Sequence, residues 1–247
     1  MFSNKLPLAI EIEINSNCNL SCSYCPNSIG ERSEKGQMSR ETFEHIMQQL
    51  KELSYSGRIS YHFYNEPTLS PNLELFVELT KKYLPRSQPV LFTNGSKLNA
   101  IKIKNLVDLG IEKFMITEHE QLNLKNIAIA KSELPSEINA RVKFDSFRDL
   151  PFTNRGGLLT NLGKKLDTPF NKPCLIPKCN MVITVKGNVV ACYEDYFQKH
   201  VMGNIFEAHI GDIWNSEKYI NFREDLKNGL RHKYEVCRHC NNSLVIV

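Results

Sequence analysis

The stretch AIEIEINSNCNLSCSYC, residues Ala9 to Cys25, decides how the chain is to be read. Ile10, Ile12 and Ile14 alternate with Glu11 and Glu13, a period of two that predicts a strand over Ala9–Asn15 with one apolar and one acidic face. Cys18, Cys22 and Cys25 follow at once in the spacing C-x3-C-x2-C. Three thiolates on one short loop can ligate three irons of a cubane 4Fe–4S cluster and leave the fourth iron open to a small molecule. A structural zinc ion needs four closed ligands, and no His or Cys lies between Cys25 and His45 to complete the set nearby.

Outward from this stretch, strands and helices alternate. Ser39 is a helix cap with Glu41 in the first turn, and Phe43, Ile46, Met47, Leu50 and Leu53 recur at helical spacing. Further strands are predicted at Arg58–Tyr64, Pro89–Thr93, Lys113–Thr117 and Ala140–Phe144. Helices are predicted at Asn72–Tyr83 and at Ala100–Leu109, the latter closed by Gly110. This rhythm implies an α/β fold with a parallel sheet and helices outside. About 140 residues hold five or six βα units, too few for an eight-fold barrel of about 250 residues, so the expected barrel is partial. Polar residues gather after the strands, at Asn15, Asn65-Glu66-Pro67, Asn94-Gly95 and Glu118-His119. Each alone reads equally as turn chemistry; four in succession beside three cysteines mark the active face of a barrel.

The rhythm breaks near Asp149. Thr153–Gly157 reads as a loop, Met181–Val185 and Asn188–Cys192 as a hairpin around Lys186-Gly187, and Glu217–Asn228 as a helix. The expected division is a barrel over residues 1–150 and a linker with a smaller second domain over 151–247.

The 247 residues carry 31 Lys and Arg against 27 Asp and Glu, a net charge of +4 too mild for a polyanion binder, so no nucleic-acid partner is expected. No apolar run reaches the roughly 18 residues of a membrane span. Glu11 and Glu13 interrupt any signal-peptide core, which makes a cytoplasmic protein the expectation. The eight cysteines are clustered, and in a reducing compartment such clusters bind metal or do redox chemistry more often than they pair.

C-x3-C-x-aromatic-C after a first strand, with Tyr24 in the aromatic slot, resembles the radical S-adenosylmethionine (SAM) superfamily. Asn65-Glu66-Pro67 resembles its glycine-glycine-glutamate-proline motif, with Asn65 replacing a glycine. Further strings resemble the SPASM/twitch subgroup of that superfamily, in its dehydrogenase branch. They are Tyr61–Pro67, Thr93-Asn-Gly95, Asn154-Arg-Gly-Gly157, Gly187-Asn188, Glu194-Asp195, Val201–Ile205, Asp212-Ile-Trp214 and Cys237-x-x-Cys240-Asn-Asn. The resemblance implies a partial radical SAM barrel followed by a twitch (truncated SPASM) domain, with SAM and two 4Fe–4S clusters as cofactors. Cys18, Cys22 and Cys25 would hold the SAM-binding cluster, and Cys174, Cys192, Cys237 and Cys240 an auxiliary one. It also implies generation of a 5′-deoxyadenosyl radical and oxidation of a secondary alcohol of a sugar-like or aminocyclitol substrate to a ketone. The second electron would go to the auxiliary cluster. Such steps belong to antibiotic or carbohydrate biosynthesis, with a flavodoxin- or ferredoxin-like electron donor.

The same resemblance nominates Tyr24, Asn65, Glu66, Asn94 and Glu118 for SAM. It nominates Arg155, Glu194, Phe63 and Tyr193 for a small polar cyclic substrate, with Arg155 and Glu194 taking part in the reaction. Bland readings stand beside these. Arg155 can be a surface ion-pair partner, Glu194 a hairpin cap, Phe63 and Tyr193 plain core, and His119 structural. Cys179 has no counterpart in the four-cysteine set and leaves two alternatives open. With Cys174, Cys237 and Cys240 it makes the pattern of a four-thiolate zinc ribbon in a binding module. As a hydrogen-atom donor it would instead make the enzyme an epimerase.

Overall fold

Strand β1 (Ala9–Ile12) lies at the centre of the sheet and is buried on both faces. The computed structural model describes residues 6–32, 34–122, 125–150, 152–160 and 171–242; residue 151 and residues 161–170 of the expected linker lie outside them. The alternation of Ile and Glu does produce a strand, yet its acidic face does not meet solvent. Ile10, Ile12 and Ile14 pack into the core under the helices, while Glu11 and Glu13 point to the other side and are 5 % and 0 % exposed. The strand is shorter than the predicted Ala9–Asn15 because Asn15 turns the chain: its Oδ1 accepts from the Asn17 amide at 2.8 Å.

The remaining barrel strands are β2 (Arg58–Ser60), β3 (Gln88–Thr93), β4 (Lys113–Glu118) and β5 (Val142–Ser146). β2 stops well before the predicted Tyr64, since Asn65 folds back to accept from the Phe63 amide at 2.8 Å. The helices α1 (Arg40–Glu52), α2 (Leu73–Tyr83) and α3 (Ala100–Leu109) sit where capping and periodicity place them. Ser39 accepts from the Thr42 amide at 3.1 Å, and Asn99 caps α3 through the Lys102 amide at 2.8 Å. Gly110 ends α3 with φ +129°, a conformation costly for any side chain. The apolar faces of α1 and α2 meet over Phe43 and Phe76, stacked at 4.2 Å and 9°. Each such buried side chain contributes about 1.5–3 kcal/mol of transfer free energy. Two short helices, α4 (Lys125–Ser132) and α5 (Ser136–Asn139), precede β5 and carry too weak a pattern to be predicted.

After the loop around Arg155 come α6 (Ile176–Cys179), β6 (Asn180–Ile183), β7 (Asn188–Val190) and β8 (Val201–Asn204). They are followed by α7 (Ile210–Trp214), α8 (Glu217–Lys227) and α9 (Glu235–His239). The sheet order is β5-β4-β3-β2-β1-β6-β7-β8. The first six run parallel, with β1 paired to β6 from Ala9↔Asn180 to Ile12↔Ile183; β7 and β8 are antiparallel. The result is an open α/β sheet of eight strands, not a closed barrel. The predicted hairpin is present, but its first strand completes the parallel sheet, so one sheet runs through both halves of the chain. Period-two patterning announces a strand and says nothing of its neighbour, which is why β6 reads from sequence as part of a separate unit.

Candidate functional site

The three-cysteine loop leaves β1 and is tied down by the loops that follow β2, β3 and β4. From the β2 side, the Glu66 amide donates to the Asn17 carbonyl at 2.8 Å, and Asn27 donates to the Tyr64 carbonyl at 2.8 Å. From β3, Asn94 donates through Nδ2 to Asn19 Oδ1 at 2.9 Å. From β4, Glu120 accepts from the amide and hydroxyl of Ser23 at 2.6 and 3.1 Å. Gln121 exchanges two bonds with the Ser21 backbone. A polar loop without regular structure is thereby held at six or more points, which fixes where its thiols stand. Glu120 and Gln121 were not singled out in the sequence, where nothing distinguishes them from other surface residues.

Cys18, Cys22 and Cys25 line a cavity of about 280 Å³ at the C-terminal ends of the strands, together with Tyr24, Phe63, Asn65, Glu66, Asn94, Arg155 and Tyr193. Of the nominated residues, this one cavity therefore gathers all except Glu118, Glu194 and the four later cysteines. Burial pushes all three thiols above the ordinary value, Cys22 to about 11, so the bare loop carries neutral thiols and metal must displace protons. Tyr24 holds its hydroxyl 2.5 Å from His119 Nδ1 and lies near-parallel to Phe147 at 5.9 Å. His119 thus lines the cavity through a defined contact.

Glu66 is 2 % exposed and its carboxylate is already heavily bonded. It accepts from the Thr68 amide and hydroxyl, from the Thr93 hydroxyl at 2.6 Å and from the Asn94 amide at 2.7 Å. It joins the ends of β2 and β3 and so shapes the cavity edge as well as facing it. Asn65 lines the cavity while its side chain serves the turn back to Tyr61 and Phe63. Glu118, the last residue of β4, does not line the cavity, although its neighbours Thr117 and His119 do.

The floor of the cavity was missed in the sequence. Glu11, read as the polar side of an amphipathic strand, faces inward beside His62 and Phe92. Its carboxylate lies 3.2 Å from Arg58 and accepts from Asn180 at 3.4 Å. Burial still raises it from 4.5 to about 7, with Arg58 pulling back only in part. Burial and the Arg58 charge push His62 down to about 3. The available signal was that Glu11 and Glu13 belong to a short central strand, where both faces of a parallel sheet are covered.

The wall opposite is built by the Asn154-Arg155-Gly156-Gly157 loop. Arg155 has φ +49°, and a Cβ on Gly157 would stand 2.5 Å from that of His239, so the glycines let the loop press against α9. Asn154 exchanges bonds with Asn241 at 2.8 and 3.1 Å and donates to the His239 carbonyl at 2.6 Å. Arg155 Nη1 stands 3.9 Å from Glu194 Oε1, and its Nε has no hydrogen-bond partner among the described residues. Glu194 is 1 % exposed and lies behind this wall, outside the main cavity. Its Oε1 accepts from Thr153 at 3.0 Å and from Asn242 at 2.5 Å, while Oε2 is unpartnered among the described residues. The structure thus separates the four nominated substrate residues: Phe63, Arg155 and Tyr193 line the cavity, and Glu194 backs Arg155.

A second, smaller cavity lies beyond Glu194. Cys174, Cys192, Cys237 and Cys240 all line it, with Glu194 and Arg231. Burial raises every one of these thiols, Cys240 to about 12. The Glu194 and Asn242 amides donate to the sulfurs of Cys192 and Cys240 at 3.5 and 3.4 Å. Among the described residues no three His, Cys, Asp or Glu side chains converge as around one metal ion; the four thiols surround a space instead. Four soft donors around such a space, with amide bonds to sulfur, fit a 4Fe–4S cluster, as the three on the open loop fit a cluster with one accessible iron. Cys179 ends α6 outside both cavities. Neither cavity's lining includes it, whereas the zinc-ribbon alternative would place it with Cys174, Cys237 and Cys240 and the hydrogen-donor alternative would place it in the main cavity. Among the described residues no helix is long and apolar enough to cross a membrane.

Comparison with known proteins agrees with this geometry. Residues 12–118 match the radical SAM superfamily, and residues 174–241 match SPASM, an iron–sulfur cluster-binding domain. The chain is 43% identical over 97% of its length, and 94% of the other's, to the S-adenosyl-L-methionine-dependent 2-deoxy-scyllo-inosamine dehydrogenase of Niallia circulans. The crystal structure of BtrN in complex with AdoMet and 2-DOIA superposes with TM-score 0.92 at 44% identity, covering 98% of this chain and 95% of that one. BtrN in an open conformation gives 0.78 at 38% identity, covering 98% and 96%. With two cysteine-lined cavities on one partial barrel and a relative of this identity along nearly its whole length, the chain belongs to the radical SAM superfamily, in the branch that carries a SPASM iron–sulfur domain.

Proposed function

We propose that this protein is a SAM-dependent dehydrogenase that oxidises a secondary alcohol of an aminocyclitol or similar polar cyclic substrate to a ketone. The observation that carries the reading is the Arg155–Glu194 wall, which separates a cavity lined by three thiols from one lined by four. The 43% identical relative, a 2-deoxy-scyllo-inosamine dehydrogenase, supports the substrate class.

In this reading Cys18, Cys22 and Cys25 hold the cluster that binds SAM, and Cys174, Cys192, Cys237 and Cys240 hold the auxiliary cluster. Residues 151–247 act as the auxiliary unit on the barrel of residues 1–150. Bound SAM with the reduced cluster supplies an acceptor for one hydrogen atom. The protein does the rest by position. Tyr24, Asn65, Glu66 and Asn94 form the SAM side of the cavity, and Glu118 acts only through its neighbours on β4. Phe63 and Tyr193 wall the substrate ring. Arg155, on the cavity wall, would orient the reacting hydroxyl through its guanidinium, whose planar fork fixes direction better than an ammonium. Oxidation of R2CH–OH removes one hydrogen atom from carbon, one proton from oxygen and one electron. Glu194, paired with Arg155 at 3.9 Å, is the base we assign to the proton, which would reach it by way of the Arg155 guanidinium, and a cluster held by Cys174, Cys192, Cys237 and Cys240 would supply the acceptor for the electron. A flavodoxin- or ferredoxin-like protein supplies the electron for SAM cleavage.

Anaerobically reconstituted protein, given SAM, reductant and 2-deoxy-scyllo-inosamine, should release methionine, 5′-deoxyadenosine and a ketone in equal amounts. Release of 5′-deoxyadenosine with this and other cyclic alcohols but no ketone would overturn the dehydrogenase reading. Exchange of substrate hydrogen with solvent would instead favour epimerisation.

A further inference from the structure

Arg32 follows the three-cysteine loop, turns into the interior and is 5 % exposed. Its Nη2 donates to a carboxylate oxygen of Glu13, a fully buried residue at the end of β1. Glu13 is itself fixed: its amide donates to the Ile183 carbonyl at 2.8 Å, and its other carboxylate oxygen accepts from the Val185 amide at 3.5 Å. The Arg32 guanidinium carbon stands 5.2 Å from the centroid of the Phe63 ring and 5.1 Å from that of Tyr196. Tyr196 is anchored in turn, its hydroxyl 3.0 Å from Asn27 Oδ1 and 2.8 Å from the Gly30 carbonyl oxygen. Phe63 lines the main cavity and Arg32 does not, so the guanidinium backs the wall that a substrate ring would touch.

We propose that Arg32 is a positioning residue for the substrate: held by Glu13, it fixes the Phe63 ring through a cation–π contact and so sets where the substrate ring lies against the cavity wall. The inference rests on the reading of this cavity as the site of alcohol oxidation. A cation over an aromatic face is attracted to the negative centre of the ring, and the attraction grows when both are out of water. Apolar packing is non-directional, whereas a guanidinium tied to a carboxylate fixes both the place and the face of the ring it meets. Hydrogen abstraction needs its carbon–hydrogen bond closely held, and a displaced wall costs rate without touching any cluster ligand. Arg32 lines neither thiol cavity, which separates this role from holding a cluster.

The test uses the full-length, anaerobically reconstituted protein with SAM, reductant and 2-deoxy-scyllo-inosamine. Wild type is compared with R32K, R32M, F63L and the double variants R32M/F63L and E13Q/R32M. R32M strands a buried carboxylate, so E13Q/R32M removes both charges and separates loss of the contact from loss of the fold. Iron should stay at about eight per chain in E13Q/R32M. R32M and E13Q/R32M should each raise KM about tenfold and release more 5′-deoxyadenosine than ketone, with R32K between R32M and wild type. In the F63L background the R32M change should alter KM by less than about twofold, because the ring that Arg32 holds is gone. Three results would overturn the proposal and leave Arg32 a structural clamp: wild-type KM and equal products in both R32M and E13Q/R32M, an R32M effect of the same size with and without Phe63, or iron loss from E13Q/R32M. A wild type that makes no ketone would sink the dehydrogenase reading and this inference with it, whereas ketone from the wild type and from an unimpaired R32M sinks the inference alone.

Discussion

Cys18, Cys22 and Cys25 stand within eight residues on one loop, whereas Cys174, Cys192, Cys237 and Cys240 are drawn from three separate segments. The local trio opens on a cavity of about 280 Å³ and depends on side chains of other loops to hold it still. The distributed quartet lies in a smaller cavity packed by Leu226, Ile176 and Val236, with backbone amides aimed at two of its sulfurs. Three ligands and open space suit a cluster that must touch a small molecule. Four ligands under an apolar cover suit one that exchanges only electrons. The difference teaches that accessibility is set by what packs on the sulfurs, not by their number alone.

Four measurements would break or sharpen this contrast. The largest effect is expected from C22A, which should remove about four of about eight irons and abolish 5′-deoxyadenosine formation while sparing the auxiliary signal. Loss of both clusters would show that the two sites are not independent. C240A should do the reverse: the first cluster and SAM cleavage persist, and ketone formation falls about 100-fold or more because the electron has no acceptor. Next, R155A should lower ketone formation by about 100-fold, with R155K recovering only part of it. Iron content and both cluster signals should stay as in the wild type, since Arg155 ligates nothing. The smallest effect concerns Glu11. Burial raises its carboxyl from 4.5 to about 7, so between those values the folded chain holds more protons than the unfolded one. Its contribution to stability is present below pH 4.5 and is lost as pH rises towards 7. Melting curves should therefore show the wild type gaining on E11Q as pH falls from 8 to 5. A Tm difference that does not change with pH would mean that Glu11 stays ionised against Arg58.

The local devices were legible without the fold. Ser39 caps its helix where its side chain predicts it, and Gly110 stops α3 where a positive φ is required. The C-x3-C-x2-C loop declares its chemistry through spacing alone, because consecutive residues on a short loop cannot be far apart. The distributed parts were legible only by resemblance. No rule of spacing brings Cys192 beside Cys174 and Cys240, or Arg155 against Glu194.

The order of residues by itself determined the alternating strands and helices, the capped helix starts and a thiol trio after the first strand. Each follows from interactions within a few residues, where chain connectivity supplies the proximity. Tertiary structure alone decided that Glu11 faces a cavity and not solvent, that β6 closes against β1, and that Cys179 stays outside both thiol groups. Those outcomes depend on which surfaces meet across 100 residues or more. Burial, which sets both the charge state of Glu11 and the seclusion of the quartet, is a property of that meeting and not of any single segment.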